Sequence, residues 1–435
     1  MNRLKFFLLL FCVSVFLSNC ASNEKIEDNK ENTFEVLTYS AELSETITLD
    51  NSEIVLGKSR EFKYWTKNYQ NPQNNIAHIK TSAEFKNKKK IFSGSSNYIN
   101  LIQPIYFEGN LCHVKKKGFL VCKKVEGKEE IINIDIKNDD IEKYEVVRGG
   151  ITYFDNTIIF VDAYGQIKSI NISNSKINWE TQIDFPILSA PLIYRDQVFF
   201  ISADNRIFSL SFKTGEILWS FQTIEESKKN LFTASPVAIE NIVIAPFSNG
   251  EIIAFKYDDG QPVWSENTSK ISIISNFDLR DITANPVISG NSIFSLSSNG
   301  RLISNSIING SRNWNIDISG SQTPIISANQ IYLIDNEARV ICINKTTGEI
   351  YWIAELDKYR RGTDSKNLNL WTGPYLINEN LHLISYFGDI LTISPFNGEI
   401  INEKKLGIKS IYSPLIILSD QIFITDEKAN IYRLK

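Results

Sequence analysis

The histidines of this chain are the first residues to consider for acid–base or metal chemistry. His78, His113 and His382 lie far apart in the sequence and do not have the spacing of metal ligands. No GxSxG, HExxH or phosphate-loop motif is present either. The sequence therefore predicts a protein that is not an enzyme, with no catalytic residue, no metal and no cofactor.

Two cysteines are spaced for a cross-strand disulfide. A three-residue hairpin turn that ends at Gly118 would set Cys112 directly opposite Cys122. In an oxidising compartment this pair could form a disulfide. Two small buried thiols in neighbouring strands are an equally good interpretation. Cys342 is interpreted as a lone strand residue.

Cys20 is the third cysteine with a predicted chemistry, and it ends an apolar segment. A basic start, "MNRLK", precedes the apolar run at 6–17, which suits a signal peptide better than a membrane span. The run ends in "LSNC", which resembles a bacterial lipobox, so we expect residues 1–19 to be removed and Cys20 to be acylated. By resemblance to enterobacterial sorting, Ala21 favours the outer membrane, with the protein facing the periplasm. The alternative is an ordinary secretory signal with an incidental cysteine.

Composition narrows the class of partner. The 435 residues include 46 basic and 50 acidic side chains, so no basic excess suggests a nucleic acid. An apolar content of 43% predicts a folded chain. Residues 20–60 are rich in Glu, Asn, Ser and Lys and are predicted to be a polar tether carrying the lipid anchor.

The elements that would hold these residues are predicted by an internal repeat. A proline is followed 28 residues later by a tryptophan at Pro191–Trp219, Pro236–Trp264, Pro286–Trp314 and Pro324–Trp352. A glycine or asparagine recurs 14 residues after most starts, and a glycine recurs at 24, as at Asn205 and Gly215. Such residues suit left-handed turns between short strands of alternating polarity.

This repeat predicts an all-β fold, an eight-bladed β-propeller of four-stranded antiparallel blades over residues 61–435. The copies start at 104, 151, 191, 236, 286, 324, 374 and 414. The eighth copy has room for three strands, so an N-terminal strand must close the ring. We expect "EFKYWTKN" (61–68), which carries Trp65, to supply it.

The tryptophans are predicted to dock each blade against the next rather than to stack on a ligand. The predicted docking residues are Trp65, Trp179, Trp219, Trp264, Trp314 and Trp352.

The motifs "FKTGEILW" and "NKTTGEIYW" resemble the PQQ-like repeat. Together with the lipobox, the eight blades and the N-terminal closure, they resemble the BamB family of outer-membrane assembly lipoproteins. The segment "FDLRDITANPVISGNSIFSLSSNGRL" (277–302) is similar to an Asp-containing segment of that family.

The resemblance implies a non-catalytic scaffold of the outer-membrane β-barrel assembly (BAM) complex. It implies binding to the periplasmic domains of a BamA-like barrel insertase, and perhaps to unfolded outer-membrane protein clients, through loops on one face. The aligned loops point to Leu231 and Phe232 in "EESKKNLFTASP" (225–236), and to Arg280 and Asp281, as partner-binding residues.

Connector lengths point to the same face without the resemblance. The links at 220–235, 265–285 and 353–373 are long, whereas the link at 315–323 is short. Long neighbouring loops on a rigid scaffold are typical of a binding site. Drift of surface loops is the alternative.

The third long link carries Arg360, Arg361 and Trp371, which are residue types favoured at interfaces. A surface loop anchored by one aromatic residue explains them equally well.

Two other functions stay open. A periplasmic PQQ-dependent quinoprotein oxidoreductase would share the tryptophan repeats, but would also be expected to have an adjacent cysteine pair, and the sequence has none. A propeller that binds another envelope partner is the second alternative.

Overall fold

The computed structural model describes the chain from residue 53 onward, with gaps. The described stretches are 53–76, 78–94, 102–127, 130–145, 148–224, 234–268, 284–298, 300–360, 367–411 and 413–435. They are all-β, and none contains a helix long and apolar enough to cross a membrane.

The strands form eight antiparallel sheets of four, arranged as the blades of a ring. The first strand, β1 (Lys89–Phe92), belongs to the last blade. Blades one to four comprise β2 (Ile105–Phe107), β3 (Asn110–Lys115), β4 (Phe119–Lys124), β5 (Glu130–Asp135); β6 (Gly149–Phe154), β7 (Thr157–Asp162), β8 (Gln166–Asn171), β9 (Lys176–Gln182); β10 (Leu192–Tyr194), β11 (Gln197–Ser202), β12 (Arg206–Ser211), β13 (Ile217–Gln222); and β14 (Val237–Ile239), β15 (Ile242–Pro246), β16 (Glu251–Lys256), β17 (Pro262–Asn267).

Blades five to seven comprise β18 (Val287–Ser289), β19 (Ser292–Leu296), β20 (Leu302–Ser306), β21 (Arg312–Ile316); β22 (Ile325–Ser327), β23 (Gln330–Ile334), β24 (Arg339–Asn344), β25 (Ile350–Glu355); and β26 (Trp371–Ile377), β27 (Asn380–Ser385), β28 (Asp389–Ile393), β29 (Ile400–Lys405). Blade eight contains β30 (Ile416–Ile417), β31 (Ile422–Thr425) and β32 (Ile431–Leu434). The predicted eight-bladed propeller is confirmed.

The predicted turns are confirmed as well. Asn205 and Gly215 adopt left-handed backbone conformations, with φ of 57° and 75°. Ala338 takes the same conformation, with φ of 61°, where the repeat has lost its glycine. In blade one the turn sets Cys112 opposite Cys122, and the structure contains the disulfide between them.

Burial falls from the axis to the rim of each blade. All six residues of β7 and of β11 are buried, because the side chains on both faces of a second strand pack against neighbouring blades. The outer strand β29 is fully exposed. The hydrophobic core is therefore a ring of layers between blades.

The repeated tryptophans lie between blades. Each indole Nε1 donates a hydrogen bond to a carbonyl oxygen in the last turn of the next blade. The pairs are Trp179 to Phe212, Trp219 to Tyr257, Trp264 to Ile307, Trp314 to Lys345 and Trp352 to Pro395, at 2.8 to 3.1 Å.

The turn glycine of the next blade faces the same ring. A Cβ atom on Gly215 would lie 2.4 Å from the Trp179 ring, so a side chain has no room there. A β-bulge before each tryptophan position, for example between Ser209 and Leu210 where Trp219 pairs, re-aims the outer strand.

The strand that closes blade eight differs from the predicted one. β1 pairs with β32, with Lys90 opposite Tyr432, so closure by an N-terminal strand holds but residues 61–68 do not provide it. Phe92 of β1 is buried against His113 of blade one, with ring centroids 4.1 Å apart.

The prediction that Trp65 docks blade eight against a neighbour is therefore wrong. Trp65 exchanges two backbone hydrogen bonds with Tyr106 at the inner edge of blade one, of 2.7 and 2.8 Å. It is 0% exposed and packs edge-on against Phe62. Full burial favours this inner position, because an outer strand leaves its tryptophan at the rim.

Residues 53–83, which we call the axial segment, cross the central channel of the ring. Their backbone bonds reach the inner strands, or the turns after them, of blades one, two, four, five, six, seven and eight. These contacts are Trp65 with Tyr106, Thr66 with Tyr153, Pro72 with Ala238, Gln73 with Ile288, Gly57 with Ser327, Ile79 with Leu376 and Ser82 with Ser419. The predicted boundary between tether and propeller, at residues 60 and 61, falls inside this segment.

A buried cation stabilises the fold of the axial segment itself. Lys67 is 3% exposed and donates hydrogen bonds to the Asn71 carbonyl and to Asn74 Oδ1, at 3.0 and 2.7 Å. Asn74 in turn donates to the Pro286 carbonyl of blade five. Burial lowers the pKa of Lys67 to about 7.

Candidate binding face

One face of the ring carries the connectors that lead from the outer strand of a blade to the inner strand of the next. We call it the connector face. At its centre a funnel of about 490 Å³ opens into the channel. Asn68 and Tyr69 of the axial segment line it, together with residues at the start of all eight inner strands. The axial segment thus closes the channel below the funnel.

Hydrogen bonds link three neighbouring connectors at the mouth of the funnel. The backbone N–H of Ser235 donates to Asn285 Oδ1 at 2.7 Å, and that of Asn285 donates to Thr323 Oγ1 at 3.0 Å. All three residues are buried. The ends of the connectors into blades four, five and six are therefore fixed side by side.

The predicted partner-binding residues Leu231, Phe232, Arg280 and Asp281 lie outside the described residues. Their connectors rejoin the described chain at residues 234 and 284. The Ser235–Asn285 bond directly follows both rejoining points, so the two connectors enter the ring next to each other.

The third long connector, between β25 and β26, folds back on itself. Tyr359 bridges to Leu368, and the Asn369 N–H donates to the Lys358 carbonyl at 2.9 Å. Leu368 and Leu370 are about half exposed, at 52% and 53%, and both line the funnel rim.

Trp371 serves as an anchor of this connector. It is 7% exposed, lies on β26 and donates from Nε1 to the Asp357 carbonyl. The guanidinium of Arg360 lies 4.6 Å from the ring centre of Phe387. Arg361 lies outside the described residues. The alternative of an aromatic that ties the loop to the body fits Trp371.

Charged groups of the funnel wall bind one another. Asp335 forms a buried ion pair with Arg339 at 2.6 Å, and Lys358 pairs with Glu337. Burial raises the pKa of the Asp335 carboxyl, and its hydrogen bonds to Arg339 oppose that shift. Arg148 also lies at the wall. Paired charges leave this part of the wall close to neutral.

Buried side-chain amides of the funnel are a feature that sequence reasoning missed. Gln103 Oε1, Asn369 Oδ1 and Asn68 Oδ1 are buried and receive no hydrogen bond from the described residues. All three residues line the funnel. No sequence motif marks them, because the closed ring and the axial segment bring them together from distant parts of the chain.

The residues present do not fit a quinone with its calcium ion. Calcium takes six to eight oxygen ligands, usually from several carboxylates. Asp335 is the one acidic residue at the funnel within the described part of the chain, and Arg339 already binds it. The described residues also contain no group of three or more His, Cys, Asp or Glu side chains that could hold a metal ion.

The histidines are structural rather than convergent. Burial lowers the pKa of His113 to about 3 and that of His382 to about 4. His78 joins the axial segment to blade seven, since its ring nitrogens bond to the Gly57 carbonyl and the Glu379 N–H at 2.8 and 2.9 Å.

Solved structures with this fold include both assembly factors and dehydrogenases. BamB from Moraxella catarrhalis superposes with a TM-score of 0.66 at 16% identity, covering 80% of this chain and 100% of that chain. Quinohemoprotein alcohol dehydrogenase from Comamonas testosteroni gives 0.63 at 10% identity, covering 91% of this chain and 83% of that chain. At these identities the likeness shows the fold alone.

Sequence comparison separates the two groups. Outer membrane protein assembly factor BamB of Yersinia pestis is 20% identical over 345 residues, which are 78% of this chain and 86% of the relative. The family model described as outer membrane protein assembly factor BamB matches residues 128–354. Because this match covers more than half of the 435 residues, the chain belongs to the BamB family.

Proposed function

We propose that this protein is a non-catalytic, lipid-anchored scaffold of the outer-membrane β-barrel assembly complex. Membership of the BamB family supports the assembly role. The lipobox-like sequence before Cys20 supports a lipid anchor in the outer membrane, with the propeller in the periplasm.

The partner is a BamA-like barrel insertase, and its periplasmic domains dock on the connector face. One observation carries this assignment. The connectors that contain Leu231–Phe232 and Arg280–Asp281 enter the ring next to each other, joined by the Ser235–Asn285 hydrogen bond. A single partner surface can therefore meet both, and the fixed connector ends lower the entropy that docking costs.

Exposed apolar side chains extend this surface. Leu368 and Leu370 lie on the same face, on the connector into blade seven, and are about half exposed at 52% and 53%. A rigid ring with apolar and charged connectors on one side suits protein docking, including transient contact with unfolded clients.

In-cell photo-crosslinking tests the proposal, with the probe placed at Phe232 and at Asp281 in turn. Asp317, in the short connector into blade six, and Glu240, in a turn on the opposite face, are exposed control positions. We expect an adduct with the barrel insertase from the first two positions only. An adduct with a different envelope protein, or equal yield from the controls, would contradict the assignment.

A further inference from the structure

The funnel at the centre of the connector face is a second site, separate from the connectors on which a protein would dock. Its volume of about 490 Å³ lies within the range of small-molecule pockets, roughly 300–1,000 Å³. Its wall carries side-chain amides whose oxygens lack a donor among the described residues. These oxygens specify which ligand chemistry the funnel accepts.

Gln103 has the best-defined orientation. Its Nε2 donates to the Pro414 carbonyl at 3.1 Å, which fixes the amide and leaves Oε1 as the free acceptor. The side chain is 93% buried, since its exposed fraction is 7%. A buried acceptor without a donor destabilises the fold unless something donates to it.

Asn369 and Asn68 add acceptors from two other elements. Asn369 is 9% exposed and lies on the connector into blade seven, and Asn68 lies on the axial segment. Gln103 precedes blade one. The three oxygens therefore come from different parts of the ring, and a ligand with several O–H or N–H donors would satisfy them together.

Charge and backbone geometry exclude the main alternatives. The Asp335–Arg339 and Lys358–Glu337 pairs disfavour a strongly charged ligand. Arg148 can only donate hydrogen bonds, which hydroxyl and carbonyl oxygens accept. An extended peptide needs a free strand edge, but the axial segment already binds inner strands of most blades, including that of blade one at Tyr106.

We propose that the funnel binds a neutral saccharide about the size of a disaccharide. Its hydroxyl or acetamido groups donate to Gln103 Oε1, Asn369 Oδ1 and Asn68 Oδ1. The apolar face of a sugar ring can rest on Tyr69 or Trp371, which also line the funnel.

Calorimetric titration of the purified protein with N,N′-diacetylchitobiose tests the proposal. This disaccharide presents both hydroxyl and amide donors. We expect saturable binding to one site, with a dissociation constant of about 1 mM or tighter. Gln103→Met and Asn369→Leu should each weaken binding about ten-fold, because each removes one acceptor.

Gln421→Met is the matched control. Gln421 is 4% exposed, donates from Nε2 to Tyr106 and has an Oε1 without a donor, but it does not line the funnel. Its substitution should leave the affinity unchanged. Melting temperatures of all variants establish that each one is folded.

Three results would overturn the proposal. They are no heat of binding at about 10 mM disaccharide, an affinity that neither funnel substitution lowers, and preferential binding of the tripeptide Ala-Ala-Ala. The crosslinking outcome is independent of these results, because its probes lie on the connectors.

Discussion

Blades two to six hold one another through a tryptophan repeated at the same place, whereas the region where the ring closes has none. In blade one the equivalent position is Ile132, and in blade seven it is Asn402, on a strand that is fully exposed. Both regions must keep adjacent blades together with a similar area of sheet.

The closing region replaces the missing tryptophans with the N-terminal part of the chain. β1 completes blade eight, Trp65 binds the inner edge of blade one and Ile79 binds the inner strand of blade seven. A disulfide crosses two strands of blade one. Blades two to six are thus joined by contacts between neighbours in sequence, and the closing region by contacts between the two ends of the chain.

The first and largest test of this difference is Trp65→Ala. Removing a fully buried tryptophan should lower the free energy of unfolding by about 3–5 kcal/mol, measured by chemical denaturation. Trp314→Ala is the control in the repeated part of the ring. It should cost less, about 1–3 kcal/mol, because Trp314 is only partly buried.

If Trp65→Ala proved the milder of the two, the axial segment would not be what closes the ring. Limited proteolysis of the folded variant should also cut residues 53–83 earlier than in the parent protein, since their anchor to blade one is lost.

The second test sharpens the role of the tryptophans in the regular blades. Gly215→Ala places a methyl group against Trp179, at a left-handed backbone position. Gly290→Ala introduces the same backbone strain, with φ of 62°, but meets no atom within 4 Å. Strain alone should cost about 1–2 kcal/mol in either variant.

Gly215→Ala should cost about 1–3 kcal/mol more than Gly290→Ala, because the ring of Trp179 must move. Equal losses in thermal unfolding would mean that the tryptophan adapts freely and does not hold the blades in register.

The third and smallest effect concerns acid. Burial lowers the pKa of His113 from 6.5 to about 3, so the folded protein resists a proton that the unfolded chain accepts. Stability is therefore fully present above pH 6.5 and is lost as the pH falls toward 3. By pH 5 the loss should be about 1–2 kcal/mol.

His113→Leu should flatten this dependence, because leucine does not titrate. Unfolding free energies at pH 7 and pH 5 measure the effect, and parallel curves for parent and variant would remove His113 as its source. Since His113 packs on Phe92 of β1, acid should loosen the closing strand first.

How much of this could be predicted follows the same division. The blades, their number and their turns were predictable, because the repeat presents each signal several times in one register. The bulge before Trp219 was not, since it changes which residues pair without changing residue type. Trp65 was misplaced because its residue type matched the repeat, while its surroundings, a run of polar residues, did not.

The candidate site divides in the same way. Connector lengths pointed to the connector face, whereas Gln103 and Asn369 carry no pattern and meet only when the ring is closed. The contact roles of Leu231, Phe232, Arg280 and Asp281 stay predictions.

The pairing of β1 with β32 also determines when the protein can finish folding. Lys90 and Asn430, which bond across this pair, are 340 residues apart. The N-terminal residues that occupy the axis are made and exported first, yet their partners in blade eight arrive last. Contacts of such long separation form slowly, so the unfinished ring has to be kept from aggregating until the C-terminus has crossed the membrane.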